Sequence, residues 1–173
     1  NWAVSSPIIV DNNLYCYAGK QLLKINKENG EIIASAEMAG NSSFGINPPC
    51  YGGGMIFVGL AGGAVQAFNA ETLESLWVFK DTLGGQPNCT IQYSDGYIYT
   101  GFWNSETKDA NFVCVSATDE DPGNPTETKY ATWTYAVQGG FYWAGAYACE
   151  DYVLVGTDDG ADESTSMTGS LLL

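Results

Sequence analysis

The chain predicts an all-β fold built from repeated four-stranded β-propeller blades. Three observations carry that expectation: a repeat near 40 residues, apolar strands separated by Asn, Asp and Gly turns, and a composition rich in aromatics and glycine but poor in charge. The repeat is read from Tyr15, Phe57 and Tyr99, which recur at an interval of about 42 residues. Each lies in a short apolar stretch, Leu14-Tyr15-Cys16-Tyr17, Ile56-Phe57-Val58-Gly59 and Ile98-Tyr99-Thr100-Gly101, and a fourth copy, Val153-Leu154-Val155-Gly156, follows after a longer gap. The 173 residues are 45% hydrophobic and 13% aromatic with 21 glycines and 15% charged residues, which suits many short strands better than helices laced with ion pairs.

A further strand and a tight turn precede each stretch. They are Pro7-Ile8-Ile9-Val10 before Asp11-Asn12-Asn13, Pro49-Cys50-Tyr51 before Gly52-Gly53-Gly54, and Ile91-Gln92-Tyr93 before Ser94-Asp95-Gly96. Asn, Asp and Gly accept the positive φ that such hairpins require. A third strand follows, Leu22 to Asn26 in the first copy and Val65 to Asn69 in the second, and each ends on an Asn whose side chain can turn the backbone. The second copy continues to Leu76-Trp77, a large residue suited to packing between sheets. The third copy carries insertions at Trp103 to Ala110 and at Thr118 to Thr128; in the second, Asp119 to Pro125 reads as a loop because Pro122 and Pro125 cannot serve a central ladder.

In its third strand, Asn turn and following Trp, the chain resembles the quinoprotein-like propeller repeat. The matching residues are Phe68-Asn69-Ala70-Glu71-Thr72 with Trp77, and Ile25-Asn26 with Asn29-Gly30; Leu73 stands where that family has Gly, and Ala34 where it has Trp. The resemblance implies blades over approximately 5–38, 47–79, 89–135 and 143–173. That is three full blades and a partial fourth, expected to be a fragment of a seven- or eight-bladed ring, with Trp2 completing a strand of another blade. The remaining blades would come from the same chain or from a second copy.

Six lysines, no arginine, 20 acidic residues and no histidine give a formal net charge of -14, so attraction to a nucleic-acid backbone has no electrostatic basis. No apolar run reaches the roughly 20 residues that cross a bilayer as a helix. Without histidine, Ser-His-Asp and Cys-His catalysis are excluded within the chain, and no catalytic residue is assigned. Cys16, Cys50, Cys89, Cys114 and Cys149 lack metal-site spacing and read as free thiols. Asn41-Ser42-Ser43 and Asn88-Cys89-Thr90 fit the N-glycosylation pattern.

Two local features remain. The acidic run Asp158-Asp159-Gly160-Ala161-Asp162-Glu163 offers oxygen ligands to calcium without the spacing of a twelve-residue calcium loop. Gly139 to Tyr147 is dense in aromatics, and Trp103, Tyr142 and Trp143 are the candidate ligand-binding residues, with Trp103 and Trp143 expected to be the more exposed. No cofactor-binding residue is assigned.

The expected function is therefore a non-catalytic binding or scaffolding module, extracellular or in a bacterial cell envelope, that recognises protein or carbohydrate through propeller loops. Resemblance supports the envelope, because propellers of this type include a lipoprotein that helps insert outer-membrane barrels. It also implies an alternative, a dehydrogenase dependent on pyrroloquinoline quinone (PQQ) whose cofactor site lies in other blades. Such enzymes bind the quinone with calcium and commonly carry a vicinal cysteine pair and a basic residue, and no two cysteines here are adjacent.

Overall fold

Alternation of side chains along each strand lets one strand feed two cores, and that property organises the molecule. The computed structural model describes residues 4–42, 47–143, 145–158 and 171–172. Trp2, Ser43 and Asp159 to Glu163 lie outside the described residues.

The first sheet is an antiparallel meander of β1 (Ile8–Val10), β2 (Asn13–Ala18), β3 (Gln21–Asn26) and β4 (Ile32–Glu37). The second repeats it with β5 (Cys50–Gly52), β6 (Met55–Leu60), β7 (Ala64–Asn69) and β8 (Ser75–Lys80). In the third, β9 (Gln92–Ser94), β10 (Tyr97–Gly101) and β11 (Asp109–Ser116) are followed by β12 (Glu127–Lys129), which leaves the sheet, and β13 (Ala131–Gln138), which completes it. The fourth contains β14 (Tyr147–Ala148), β15 (Val153–Gly156) and β16 (Leu171–Leu172), with β16 in the third-strand place. All-β architecture with four-stranded antiparallel sheets is consistent with propeller blades.

Register shows how closely the copies match. Ala34, Trp77 and Trp133 stand opposite Lys24, Ala67 and Cys114, and in all three sheets a bulge adjoins that pair, with Ile33, Leu76 and Thr132 as the extra residue of the fourth strand. Leu73, which stands where the family pattern has Gly, takes the backbone conformation of Gly30 in the first copy. Gly30 and Leu73 each donate their N–H to the Asn that opens the turn, Asn26 and Asn69, and both have positive φ, 75° and 61°. Leu73 accepts a left-handed backbone, costing about 1 kcal/mol, while its side chain is buried in the core between the first two sheets.

Odd and even residues of β6 serve opposite cores. Ile56 and Val58 join Tyr15, Tyr17 and Leu22 of the first sheet. Phe57 instead joins Trp77, Ile98, Val113 and Val115 toward the third. Phe112 and Phe141 meet Val155 of the fourth sheet, and a cleft of about 390 Å³ lined by Phe112, Trp133, Tyr135, Val153, Val155 and Leu172 opens there.

Asp119 to Pro125 form no strand, as the prolines require, but a strand that the sequence did not announce follows them: β12 pairs in parallel with the outer strand β8 of the preceding sheet. The rest of that insertion folds back on the same sheet, where the Ser75 hydroxyl donates to the Pro125 carbonyl at 2.6 Å. A Glu-Thr-Lys segment has no apolar alternation, so its pairing is set by the free edge of β8 and by the burial of Lys129.

None of the five cysteines forms a disulfide. Burial pushes the Cys50 thiol up to about 11 and the Cys89 thiol to about 12, against about 8.5 in an unfolded chain. Both raised values favour the protonated folded form, so their contribution is complete below about pH 8.5 and is lost as pH rises through the folded values. The expected result is an unfolding midpoint that is level below pH 8 and falls between about pH 9 and 12, with a shallower fall in a Cys50→Ser/Cys89→Ala variant. An identical alkaline slope in that variant would rule the thiols out as its cause.

Candidate functional site

The segments that cross from one sheet to the next all run over one end of the sheets. Each first bonds the turn between the second and third strands of its own sheet: Met38 N–H to Lys20 O, Asp81 N–H to Gly63 O, Gly139 N–H to Lys108 O. Each then reaches the end of the second strand in the following sheet, through Ala61 N–H to Asn41 O, a paired bridge between Gln86 and Trp103, and Asp158 N–H to Gly140 O. Ala61, Trp103 and Asp158 thus occupy the same place in three successive copies. The third copy alone puts an aromatic there.

Trp103 is consequently carried to the segment that leaves its own sheet. Phe141 N–H donates to Phe102 O at 2.9 Å, so the chain after Gly140 runs beside Trp103. The approach demands glycine at two points. A Cβ on Gly140, at φ +66°, would lie 2.5 Å from Phe102 O, and a Cβ on Gly101 would lie 2.5 Å from Cβ of Phe141. Phe141 is buried beneath, and the next two residues turn outward.

The three candidate residues therefore meet. The Trp103 and Tyr142 rings are 5.2 Å apart and inclined at 45°, and Tyr142 and Trp143 are 4.7 Å apart at 77°. The last pair forms an aromatic corner in an edge-to-face arrangement. Trp143 is 57% exposed and holds a left-handed backbone at φ +63°, unusual for a bulky residue. Trp103 departs from expectation: it is only half-exposed, and its Nε1 is buried.

Gln86, bridged to Trp103, and Ser105, two residues beyond it, were not singled out from the sequence. Gln86 Oε1, both amide atoms of Asn88, Trp103 Nε1 and Ser105 Oγ are buried and have no hydrogen-bond partner among the described residues. Asn88 is 1% exposed, so the Asn88-Cys89-Thr90 pattern is not a glycan acceptor in the folded chain. Burial of Asn88 is the correction to that motif; Asn41 of the other motif is exposed. Nearby, Asp81 is buried and fixes the crossing segment, its carboxylate accepting from Asn111 Nδ2 at 2.9 and 3.1 Å and from Leu83 N–H at 2.9 Å.

Of the acidic run considered for calcium, Asp158 is described and its backbone borders the aromatic corner; the remainder lies outside the described residues. Among the described residues no group of three His, Cys, Asp or Glu side chains could hold a metal ion. No helix among them is long and apolar enough to cross a membrane.

No family model and no curated protein matches the sequence. Solved structures match its fold. The computationally designed Ika4 protein matches over 98% of this chain and 90% of its own, with a TM-score of 0.69 at 10% identity. BamB from Moraxella catarrhalis matches over 88% of this chain and 43% of its own, at a TM-score of 0.60 and 11% identity. The quinohemoprotein alcohol dehydrogenase ADHIIG from Pseudomonas putida HK5 matches over 76% and 20%, at a TM-score of 0.60 and 16% identity. The chain thus spans a fifth of the dehydrogenase and under half of BamB, and the likeness is one of propeller fold.

Proposed function

We propose that the chain is a non-catalytic recognition module of an extracellular or cell-envelope protein, in which the sheets form a rigid frame and the crossing segments present the contact surface. The observation that carries this reading is the convergence of Trp103, Tyr142 and Trp143 into one aromatic corner, with Trp143 exposed. Aromatic side chains at an exposed corner supply contact area at little cost in side-chain freedom, which suits protein or carbohydrate partners. The net charge of -14 turns the surface away from polyanions.

Strain at Trp143 gives the reading a sharp test. Glycine adopts φ near +63° without penalty, so Trp143→Gly is expected to leave stability unchanged or raise it by up to about 1 kcal/mol. The same substitution is expected to remove most partner binding. Measured by thermal unfolding and by capture of the partner, stable protein with lost binding supports a functional Trp143; a variant that binds fully shows that the corner is not the contact.

A second reading, part of a PQQ-dependent dehydrogenase, draws support from the likeness to the alcohol dehydrogenase. The residues described here fit a quinone poorly. Lys24 and Lys129 are buried against carbonyls of neighbouring sheets, and the other four lysines are exposed. Addition of PQQ separates the two readings: a saturable change in its absorption spectrum favours the dehydrogenase, and an unchanged spectrum favours the recognition module.

A further inference from the structure

An open sheet edge presents a row of unpaired N–H and C=O groups, and folded chains guard such edges with charge, proline, shortness or a cover. Among the described residues the edge strands β1, β5 and β9 are three residues long, β14 and β16 are two, and β4 ends on Glu37. The outer edge of β8 is covered by β12. On the outer side of β13 no strand pairs among the described residues, and none of these guards is present. Its eight residues, Ala-Thr-Trp-Thr-Tyr-Ala-Val-Gln, hold no charge, proline or glycine, and Thr132 to Ala136 are all exposed.

What β13 offers outward follows from the ladder. Gly139 N–H donates to Lys108 O, and in the register that sets Asp109 opposite Gln138 the bonding residues alternate from there. Trp133, Tyr135 and Val137 are therefore bonded toward β11, and the N–H and C=O of Thr134 and Ala136 are turned to the open edge. Register puts Trp133 where the second sheet has Trp77, so Thr134 stands in the place of Val78, the residue that meets Thr128 of β12. In a parallel ladder Val78 bonds the residues on either side of Thr128, which are Glu127 and Lys129. One position of the repeat is thus covered by an extended parallel segment in the second sheet and bare in the third. The cover also brings a lysine, whose Nζ lies 5.8 Å over the Trp77 ring. Among the described residues no ammonium lies over Trp133, which is 42% exposed and lines the apolar cleft with Tyr135.

Charge selects the occupant. Residues 81–173 hold 14 of the 20 acidic residues and two of the six lysines, and one of those two, Lys129, is buried. Two copies meeting edge to edge would bring two such acidic halves together, whereas a basic segment is drawn to them. We propose that the outer edge of β13 is a docking site for an extended, lysine-rich segment of a partner protein. The segment adds in parallel as a further strand, its backbone bonded to Thr134 and Ala136 and one lysine laid over Trp133 as Lys129 lies over Trp77. Main-chain bonds supply the attachment in such strand addition, and the lysine over an indole, with the acidic surroundings, supplies the preference for a basic sequence.

The site stands on the edge alone and not on the aromatic corner, so its failure leaves the reading tested by Trp143→Gly untouched. The probe is a capped octapeptide alternating lysine with valine, titrated into the chain at physiological ionic strength by calorimetry and followed by amide hydrogen exchange. It is expected to bind and to slow exchange at Thr134 and Ala136, leaving Tyr135, already bonded to β11, unchanged. The same peptide with glutamate for lysine is expected to bind at least tenfold more weakly. N-methylation of the lysines is expected to abolish binding and N-methylation of the valines to spare it, because a strand turns every second N–H to its neighbour. Thr134→Pro removes the outward N–H without touching the β11 ladder and is expected to lower affinity at least tenfold; the two methylated peptides test the same bonds should that variant not fold. Equal binding of the lysine and glutamate peptides overturns the basic partner. Equal binding of the two methylated peptides, or unchanged exchange at Thr134 under saturating lysine peptide, overturns strand addition. Protection of Thr134 that grows with protein concentration in the absence of peptide gives the edge to a second copy and overturns the proposal.

Discussion

Trp77→Ala is expected to destabilise the chain by about 3–5 kcal/mol, the largest effect of any single truncation of an aromatic in the central core. Trp77 is fully buried between the second and third sheets, its ring 5.8 Å from Phe57. Its indole N–H donates to the Ala117 carbonyl at 3.2 Å, joining β8 to the turn that leaves β11. Truncation therefore removes apolar area, leaves a cavity and strips a buried carbonyl of its donor. Trp77→Phe separates these contributions: it keeps most of the packing and loses the N–H, so about 1–2 kcal/mol is expected from the hydrogen bond with a small volume loss. Equilibrium unfolding in urea measures both. A Trp77→Ala loss under 1 kcal/mol would mean that the two sheets do not depend on this residue for their contact.

The equivalent joints of the first sheet use different chemistry for the same task. Ala34 stands in the register of Trp77 and is too small to bridge, but Lys24 opposite it extends across, and its ammonium donates to Glu71 O at 2.9 Å. Tyr15 donates to Ala70 O at 2.7 Å beside it. In the second sheet the large residue is Trp77 and its cross-strand neighbour is Ala67. Volume and hydrogen bonding at the joint are thus conserved by the pair, a large residue facing a small one, while the identity of each member changes.

That exchange explains which parts of the fold were legible from residue order. The interval of about 42 residues and the hairpin turns are local patterns, and strands β1 to β11 follow them. Ala34 in place of Trp reads as a gap until the register shows Lys24 filling it. Strand β12 was illegible because its three residues, Glu-Thr-Lys, carry no strand pattern and gain their place from the edge of β8. At the candidate site the aromatic members were visible as a cluster in the chain, and Trp103 joins them because the repeat returns position 103 to the segment after Gly140. Gln86 and Ser105 were not visible, since an isolated amide or hydroxyl has no motif; the bridge to Trp103 sets Gln86 on that side. A glycosylation triplet at Asn88 pointed to the surface, whereas Asn88 is buried.

Lys129→Ala is the companion to Trp77→Ala, and about 3–5 kcal/mol of destabilisation is expected at neutral pH because it breaks a buried ion pair from one side. The Lys129 side chain is 3% exposed, and its Nζ donates to Thr118 O at 2.6 Å and lies 3.1 Å from Glu120 and 3.6 Å from Glu127. It also stands 5.8 Å over the Trp77 ring. Glu127 is itself 9% exposed at the side chain and accepts the N–H groups of Glu120 and Asp121, so it cannot swing into water without releasing the insertion. The neighbouring Asp119 carboxyl is held above the usual range by burial and then by Glu127. Removing the ammonium takes the nearby positive charge from the cluster in which Asp119 sits, which favours the protonated form of the Asp119 carboxyl. The loss should therefore shrink at pH 5 relative to pH 8, and Glu127→Gln added to Lys129→Ala should recover part of it at pH 8. Unfolding of the three variants at both values provides the measurement, with the pair Lys24 and Glu71 as its contrast. There Glu71 is 87% exposed at the side chain, so Glu71→Gln should change stability by no more than about 1 kcal/mol. Lys129→Ala with no pH dependence would show that the loss comes from packing on Trp77 rather than from the unpaired carboxylates.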